Sequence, residues 1–304
     1  MAAIAMASAF LELLFLPHVI RWILPKKQSQ NVYAIAKAQS IARQKIVLVA
    51  HVDSHRTPLI WHSPLTYKIY RLMSTLGMVA FTGLFLSMLI CFLVNHEIAS
   101  YLSALCGFFI LLVLIMTLQA ELSSFTKGAN DNASGAGIVL ALAEKFAQAP
   151  LLHSEIWFVF TGCEEVGAHG SFDFVKKQRH ELGKAKFIAI DNIAGKDTAP
   201  RYYVSETLLR KMKYPKEMID LVRSVADENP EFDAKPYSQR GVYTDGTPFL
   251  LSGIPGIAVV GHREDGWIPD WHSKTDTFEN VDSHALSRAQ GFIEKLVERM
   301  DENV

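Results

Sequence analysis

Two long uncharged segments, separated by a short polar interruption, constrain the fold of this chain more than any other feature. Residues 72–94 carry no charged side chain, and another uncharged, mostly apolar run covers residues 98–120. A helix rises about 1.5 Å per residue, so each run can cross a hydrocarbon core about 30 Å thick. Two helices buried in a soluble domain are the alternative, but both would have to be apolar on every face. The pattern predicts a transmembrane hairpin over residues 72–122.

The charges that flank this hairpin predict its orientation. Lys68 and Arg71 precede the first run and Lys127 follows the second, whereas the tip at residues 95–97 has no lysine or arginine. Basic residues are retained on the cytoplasmic side of membranes. We therefore expect a multi-pass membrane protein with two spans, its tip outside the cell. A hairpin returns the chain to the side that it left, so the sequences around it can form one domain that faces the cytoplasm.

The amino-terminal segment, residues 1–30, is also apolar but differs from the hairpin. It contains Glu12, Pro17 and Arg21, and it lacks the basic leader of a secretory signal. These residues disfavour a third span. We expect an amphipathic helix that lies against the domain or the membrane surface.

Composition excludes some classes of partner. The formal net charge is −1, which gives no electrostatic basis for binding nucleic acid. The three cysteines are not spaced as a metal-binding or disulfide framework.

Short apolar runs alternate with helical patterns in the rest of the chain, residues 31–71 and 123–304. Runs that suit strands covered on both faces occupy residues 45–50, 156–160, 187–190 and 257–260. Helical patterns occupy residues 133–147, 172–181, 217–228 and 284–302. This alternation predicts an α/β fold, a three-layer α/β/α sandwich around a mixed, largely parallel sheet. Residues 196–216 and 229–248, which are richer in charge, proline and glycine, are predicted to form loops around a cleft.

Five residues are candidate metal ligands: His51, Asp131, Glu165, Asp191 and His272. Four of the five follow short apolar runs or open a helix, where α/β proteins place their active sites. Imidazoles and carboxylates suit zinc and related divalent transition metals. Each residue taken alone has an ordinary explanation, such as helix capping by Asp131 or a turn at Asp191. Their joint occurrence at separate strand ends favours a metal site.

The segments around these residues resemble the zinc aminopeptidases whose catalytic fold is shared by glutaminyl cyclases and the transferrin-receptor ectodomain. The matching segments are AHVDS at 50–54, GANDNASGAG at 128–137, CEEVGAHGS at 163–171, AIDNIAG at 189–195, TDGTPFLLSGIP at 244–255 and WHSKTDT at 271–277. The resemblance covers residues 31–67 and 123–300 and omits the apolar hairpin. The hairpin is therefore interpreted as an insertion into a dizinc peptidase fold.

The resemblance implies a role for each candidate ligand. Asp131 would bridge two zinc ions, and other divalent transition metals are possible in their place. His51 and Asp191 would complete the coordination of one ion, and Glu165 and His272 that of the other.

Neighbouring residues are assigned supporting roles. Glu164 is the candidate general base, because it lies beside a ligand and would face the water nucleophile. Asp53 is expected to hold the second imidazole nitrogen of His51, with a simple turn as the alternative. Asp276 either supports the histidine loop or caps a helix, and Asp245 matches an acidic position of the family. Either Tyr237 or Tyr243 is a candidate for stabilising the oxyanion. Exposed or core roles are expected for four further histidines: His55, His62, His169 and His262.

We therefore expect a membrane-anchored dizinc metallopeptidase, specifically an aminopeptidase that acts on short peptides. Its partners would be a peptide substrate and the lipid bilayer, the latter through residues 72–122. Two alternatives keep the fold: a glutaminyl-cyclase-like acyltransferase with one zinc, and a non-catalytic relative that resembles the receptor. The complete ligand set favours two metals, and no ligand position is degraded.

Overall fold

The computed structural model describes residues 2–94 and 97–304, and the chain divides into two compact units. The first unit consists of Met1–Lys26 and Arg56–Phe125, and the second of Lys27–His55 and Thr126–Val304. In sequence, the larger segment of the first unit interrupts the second. Asn95 and His96, which belong to the predicted tip of the hairpin, lie outside the described residues.

The first unit is helical. Its helices are α1 Ala2–Leu13, α2 Val19–Ile23, α3 Pro64–Val94 and α4 Glu97–Leu122. Helices α3 and α4 are long and apolar enough to cross a membrane, and only 17% and 11% of their apolar windows are buried. A helix in the core of a soluble domain is covered on most of its faces, whereas most residues of these two windows are not buried.

Helices α3 and α4 pack closely where small residues meet. A Cβ atom at Gly77 would lie 2.6 Å from the side chain of Val113, so glycine permits the close approach. The hydroxyl groups of Ser87 and Ser103 are hydrogen-bonded to each other at 2.8 Å. Small residues and hydrogen bonds between helices are typical of helix pairs in membranes.

The second unit contains an eight-stranded sheet in the order β1-β3-β2-β4-β8-β5-β6, with β7 paired to β5. The strands are β1 Val32–Ala36, β2 Gln44–His51, β3 Ser154–Thr161, β4 Ala185–Asp191, β5 Ala199–Thr207, β6 Lys211–Lys213, β7 Lys235–Ser238 and β8 Gly256–His262. Neighbouring strands in the central group β3-β2-β4-β8 are parallel. Strands β1 and β5 pair antiparallel with β3 and β8 respectively. The predicted mixed, largely parallel sheet is confirmed.

The central strands are covered on both faces. Ile46, Val47, Leu48 and Val49 of β2 are all 0% exposed. Successive side chains of a strand point to opposite faces, so helices must cover both sides of the sheet. Helix α5 packs on β2 and β3, α8 on β4 and β8, and α9 on β5. The helices of this unit are α5 Gly135–Gln148, α6 His169–Lys177, α7 Lys216–Glu228, α8 Gly246–Leu251 and α9 Ser283–Glu302.

The prediction of loops over residues 196–216 and 229–248 is wrong, because β5, β6 and β7 lie within them. Charged residues of β5 made this strand resemble a loop, yet Arg201 and Glu206 are only 5% and 1% exposed. Arg201 is held by an ion pair of 3.6 Å with Asp233, and Glu206 accepts hydrogen bonds from three hydroxyl groups. A buried charge with specific partners has the same sequence pattern as a solvated one. The short edge strand β1 has no counterpart in the prediction either.

Candidate metal centre

The carboxyl ends of the central strands bring the predicted ligands to one edge of the sheet. His51 is the last residue of β2, and Asp191 is the last residue of β4. Glu165 follows β3, and His272 lies in the loop between β8 and α9. Asp131 lies in an irregular turn that leads into α5. Parallel strands end at the same edge, which is where open α/β sheets bind ligands.

The five side chains form two sets that share Asp131. In one set, Nε2 of His51 lies 3.3 Å from Oδ1 of Asp131 and 3.4 Å from Oδ1 of Asp191. In the other, Nε2 of His272 lies 3.1 Å from Oδ2 of Asp131 and 3.2 Å from Oε2 of Glu165. Each oxygen of Asp131 therefore faces a different histidine.

These separations fit metal coordination. Zinc holds nitrogen and oxygen ligands tetrahedrally at about 2.0–2.2 Å, which places neighbouring ligand atoms about 3.3 Å apart. The side chains of Asp131 and Glu165 are only 3% and 8% exposed, and Oε1 of Glu165 is buried without a hydrogen-bond partner. A buried carboxylate oxygen without a donor is costly unless a cation neutralises it. The donor atoms, their spacing and this unsatisfied oxygen all suit bound metal ions.

Crowded carboxylates and burial shift the pKa values of the cluster. Burial opposes protonation of His51, but its hydrogen bonds with Asp131 and Asp191 outweigh burial and raise its pKa well above the ordinary value. Burial also opposes protonation of His272, and the carboxylates of Glu165 and Asp131 raise its pKa to about 9. Burial, followed by the charge of Asp131, raises the pKa of Glu165 to about 7. Metals bind the deprotonated forms of these ligands, so metal binding would release these protons.

Glu164 is buried beside the cluster and is not part of either ligand set. It is 5% exposed. Burial raises its pKa well above the ordinary value, and the charge of Glu165 adds to this effect against the influence of His51. A carboxylate with a raised pKa is suited to take up and release a proton. Its backbone carbonyl accepts a hydrogen bond from the Tyr243 hydroxyl at 3.1 Å.

Asp53 contacts the site differently from the sequence prediction. Its backbone carbonyl oxygen lies 3.0 Å from Nδ1 of His51, whereas its carboxylate lies 3.7 Å from the same nitrogen. The carboxylate instead accepts hydrogen bonds from the backbone amides of Glu164 at 3.0 Å and Glu165 at 3.2 Å. Asp53 therefore fixes the imidazole through its main chain and the acidic loop through its side chain.

Two acidic residues whose roles the sequence left open hold other loops of the site. The carboxylate of Asp276 accepts from the backbone amides of Asn130 at 2.6 Å and Asp131 at 3.2 Å. It therefore positions the turn that carries the shared ligand. Asp245 accepts from the Thr161 hydroxyl at 2.8 Å, next to the end of β3. Burial is the main reason that the pKa of Asp245 is raised to about 7.

Residues with left-handed backbone conformations cluster at the ligands. His272 has a φ of 51°, Cys163 a φ of 57° and Asn192 a φ of 52°. Cys163 directly precedes Glu164, and Asn192 directly follows Asp191. Residues other than glycine rarely adopt this conformation, and those that do are frequent at active sites.

Sequence reasoning missed His55. Its ring stacks on that of His272, with centroids 3.7 Å apart and an angle of 12° between the ring planes. His55 therefore lies beside a candidate ligand, and not at the exposed or core position that was expected. The available signal was its place in the same loop as His51, directly after a central strand. His262, in contrast, has the expected core role: it is 0% exposed and hydrogen-bonded to the Tyr203 hydroxyl at 2.8 Å.

The structure also separates the two candidate tyrosines. Tyr243 contacts the Glu164 loop, as described above. Tyr237 packs on His262, with ring centroids 4.4 Å apart, and its hydroxyl faces the carbonyl oxygen of Gly266 at 3.5 Å.

A mixed α/β sheet whose carboxyl edge gathers two imidazoles and three carboxylates defines the class of metal-dependent α/β hydrolases. Comparison with known families gives the same class more narrowly, because the model for peptidase family M28 matches residues 115–297. The chain belongs to peptidase family M28. Asp131, Glu165, Asp191 and His272 lie within the matched region, whereas His51 precedes it.

Individual relatives agree with this assignment. The chain is 27% identical over 190 residues to aminopeptidase YwaD of Bacillus subtilis strain 168, covering 61% of this chain and 40% of the relative. It is 24% identical over 191 residues to the probable lipoprotein aminopeptidase LpqL of Mycobacterium tuberculosis, covering 52% of this chain and 37% of the relative. The chain thus spans well under half the length of these two relatives.

Solved structures show the same fold. The zinc aminopeptidase BSAP from Bacillus subtilis superposes with a TM-score of 0.56 at 21% identity, covering 90% of this chain and 50% of that one. A glutaminyl cyclase from an Acidobacteriales bacterium superposes with a TM-score of 0.57 at 14% identity, covering 90% of this chain and 74% of that one.

Proposed function

We propose that this protein is a membrane-anchored metallopeptidase with two zinc ions, and that it acts as an aminopeptidase on short peptides. The observation that carries the proposal is the pair of ligand sets that share Asp131 through its two oxygens. One carboxylate placed between two histidines serves two ions that lie close together, which is the arrangement of co-catalytic hydrolases.

Each ion is assigned three protein ligands. His51, Asp131 and Asp191 would hold one, and His272, Asp131 and Glu165 would hold the other. Two bound cations would lower the pKa of a water nucleophile and stabilise negative charge on the attacked carbonyl group. Family membership and the aminopeptidase relatives support a peptide substrate.

Glu164 is assigned the proton transfers. Its carboxylate takes a proton from the attacking water and delivers it to the nitrogen of the leaving amine. Burial favours its protonated form, so it can hold the proton between these two steps. Asp53 positions Glu164, because its carboxylate accepts a hydrogen bond from the backbone amide of Glu164. Tyr243, whose hydroxyl lies against the carbonyl of Glu164, is the better placed tyrosine to contact the oxyanion.

Helices α3 and α4 are assigned to the lipid bilayer. Their exposed apolar surface, the close approach at Gly77 and the hydrogen bond between Ser87 and Ser103 support a membrane hairpin over residues 72–122. The flanking basic residues support a peptidase domain, residues 31–71 and 123–304, that faces the cytoplasm. Residues 1–30 would then lie at the membrane surface, which their exposed Trp22, at 70%, and Ile23, at 76%, would enter.

A second candidate function is a glutaminyl-cyclase-like acyl transfer with one zinc. It is favoured by the structural similarity to glutaminyl cyclases, one of which is covered over 74% of its length. The two complete ligand sets favour the dizinc peptidase instead, since a single ion would leave one set of buried carboxylates without a cation.

One experiment tests both candidates. The full-length protein, purified in detergent, is analysed for metal per chain and incubated with peptides that have free or blocked amino termini and with peptides that begin with glutamine. We expect two zinc ions per chain and release of amino-terminal residues only from free termini. One zinc ion together with cyclisation of the glutamine peptides would establish the alternative. Cleavage that ignores blocking of the amino terminus would refute the aminopeptidase assignment.

A further inference from the structure

His55 is an additional imidazole at the metal centre, beyond the five ligands assigned above. It is the last residue of the loop that follows β2. The backbone amide of Thr126 donates a hydrogen bond to the carbonyl oxygen of His55 at 2.8 Å, which fixes this point of the chain. The ring then stacks on His272 with centroids 3.7 Å apart and planes 12° apart. The backbone therefore delivers this ring to the face of a candidate ligand.

The donor atoms on this side of the site form a group that suits a cation. One ligand atom each from His55, Glu165 and His272 lies within 4.8 Å of the others. Tetrahedral zinc with bonds of about 2.1 Å places its ligand atoms about 3.4 Å apart, so closing the group around one ion needs a shift of at most about 1.4 Å. Oε1 of Glu165 is buried and accepts no hydrogen bond, so it offers a second lone-pair site in the same place.

The arrangement is asymmetric across the shared carboxylate. In the part of the chain that the structure describes, one candidate group consists of His51, Asp131 and Glu165, and the other of His55, Glu165 and His272. His55 is therefore grouped with His272 and Glu165, and Asp131 would join them through its oxygen that faces His272. The extra imidazole thus belongs to the side of His272. Stacking alone does not require a nitrogen heterocycle here, because any flat aromatic ring can stack on His272.

We propose that His55 is a fourth protein ligand of the ion held by Asp131, Glu165 and His272. This inference rests on the proposed dizinc function. The two ions are then unequal: the one on the His272 side has two imidazoles and two carboxylates, and the one on the His51 side has one imidazole and two carboxylates. An additional neutral imidazole strengthens zinc binding, so the ion on the His272 side is held more tightly.

The test compares metal binding rather than activity. Metal-free, full-length protein in detergent is titrated with zinc in a calorimeter and, separately, with cobalt followed by its visible absorption. The variants are His55→Ala, which removes the ring, and His55→Phe, which keeps a flat ring for stacking but has no donor nitrogen. His62→Ala is the control, since His62 is close to His55 in sequence but lies in the first unit and belongs to neither ligand group. Circular dichroism checks that each variant is folded.

If His55 is a ligand, both His55 variants lose affinity for one of the two zinc equivalents by about tenfold or more, because even the partners that only orient ligands change affinity by about 10–100-fold. Their cobalt spectra change in position or intensity, and the control keeps both equivalents and the wild-type spectrum. Normal binding by His55→Phe together with weak binding by His55→Ala would show that the ring only supports His272, which overturns the inference. Normal binding by both variants overturns it as well.

The wild-type titration separates this inference from the proposed function. Two zinc equivalents in the wild type, with both His55 variants at wild-type affinity, leave the dizinc proposal standing and reject His55 as a ligand. Fewer than two equivalents in the wild type reject the dizinc proposal and the inference together.

Discussion

Glu206 of β5 is a buried acid outside the metal centre, and replacing it with glutamine is expected to change how stability depends on pH. Its carboxylate is 1% exposed and accepts hydrogen bonds from the hydroxyls of Tyr214 and Thr244, each at 3.0 Å, and from Thr247. Burial is the largest influence on this group and outweighs these three donors, so its pKa rises from 4.5 to about 7. The folded protein therefore binds this proton more tightly than the unfolded chain does.

The sign and the size of the effect follow from this difference. Because the folded-state pKa is the higher one, ionising Glu206 destabilises the fold as the pH rises from about 4.5 to about 7. The difference of about 2.5 pH units, at about 1.36 kcal/mol per unit, gives a full penalty of about 3.4 kcal/mol. About 2.5 kcal/mol of this penalty develops between pH 5 and pH 8. Glutamine cannot ionise, so Glu206→Gln lacks this part of the pH dependence.

The assay is thermal unfolding of the wild type and the variant, both in detergent, at pH 5 and pH 8. Other titrating groups act equally on both proteins, so the difference between the two melting temperatures isolates Glu206. For a domain of this size, 1 kcal/mol corresponds to about 2–4 °C, so we expect the variant to gain about 5–10 °C relative to wild type on going from pH 5 to pH 8. Glu231→Gln, at an exposed glutamate, is the control and should show no such gain. An identical difference at both pH values would refute the reasoning, because Glu206 would then have the same pKa in both states.

Three further outcomes concern the proposed site and the membrane hairpin. Glu164→Gln should keep two metal ions but lower turnover by about 100-fold or more, as loss of a general base does; loss of metal from this variant would make Glu164 a ligand instead. Asp131→Ala should lose both ions, because one carboxylate serves both sets, and elemental analysis that finds two ions per chain would rule out the bridge. The native protein should resist extraction by carbonate, and a cysteine introduced at Asn95 should react with an impermeant reagent on intact cells. Release by carbonate would reject the spanning helices, and labelling of the peptidase domain but not of Asn95 would invert the orientation.

The pattern of short apolar runs was the main basis for predicting the sheet and the edge at which the candidate ligands meet. The buried run of β2 has the composition of a strand covered on both faces, and a parallel sheet collects whatever follows its strands at one edge. This is why the sequence alone predicts that His51, Glu165 and Asp191 meet. The prediction failed at β5, where Arg201 and Glu206 are buried by tertiary partners that lie far away in sequence.

The contacts that each side chain makes in the site were harder to predict from the sequence than which residues lie there. Asp53 is close to His51 in sequence, and that proximity led to the expectation that its carboxylate holds the imidazole. In the structure the carboxylate accepts hydrogen bonds from the backbone amides of Glu164 and Glu165, which are 111 and 112 residues away in sequence. Asp276 likewise accepts the amides of the Asp131 turn across 145 and 146 residues. Bonds of this range follow from the fold, and local sequence patterns do not reveal them. The same holds for His55, because stacking on His272 depends on two loops that meet only in the folded sheet.

The position of the proposed insertion would leave the proposed metal centre intact. His51 and Asp131 are separated in sequence by the whole of residues 56–125, yet both belong to one proposed ligand set. The second unit joins the two ends of this gap directly, because the amide of Thr126 donates to the carbonyl of His55 at 2.8 Å. The strand β2, which ends at His51, pairs with β3 along its whole length and with β4 over Lys45–Val49. Its residues Ile46–Val49 are fully buried. The chain therefore leaves and re-enters the second unit at adjacent points, where insertions are tolerated. The distance between His51 and Asp131 is set by this junction and by the sheet, and not by the length of what is inserted.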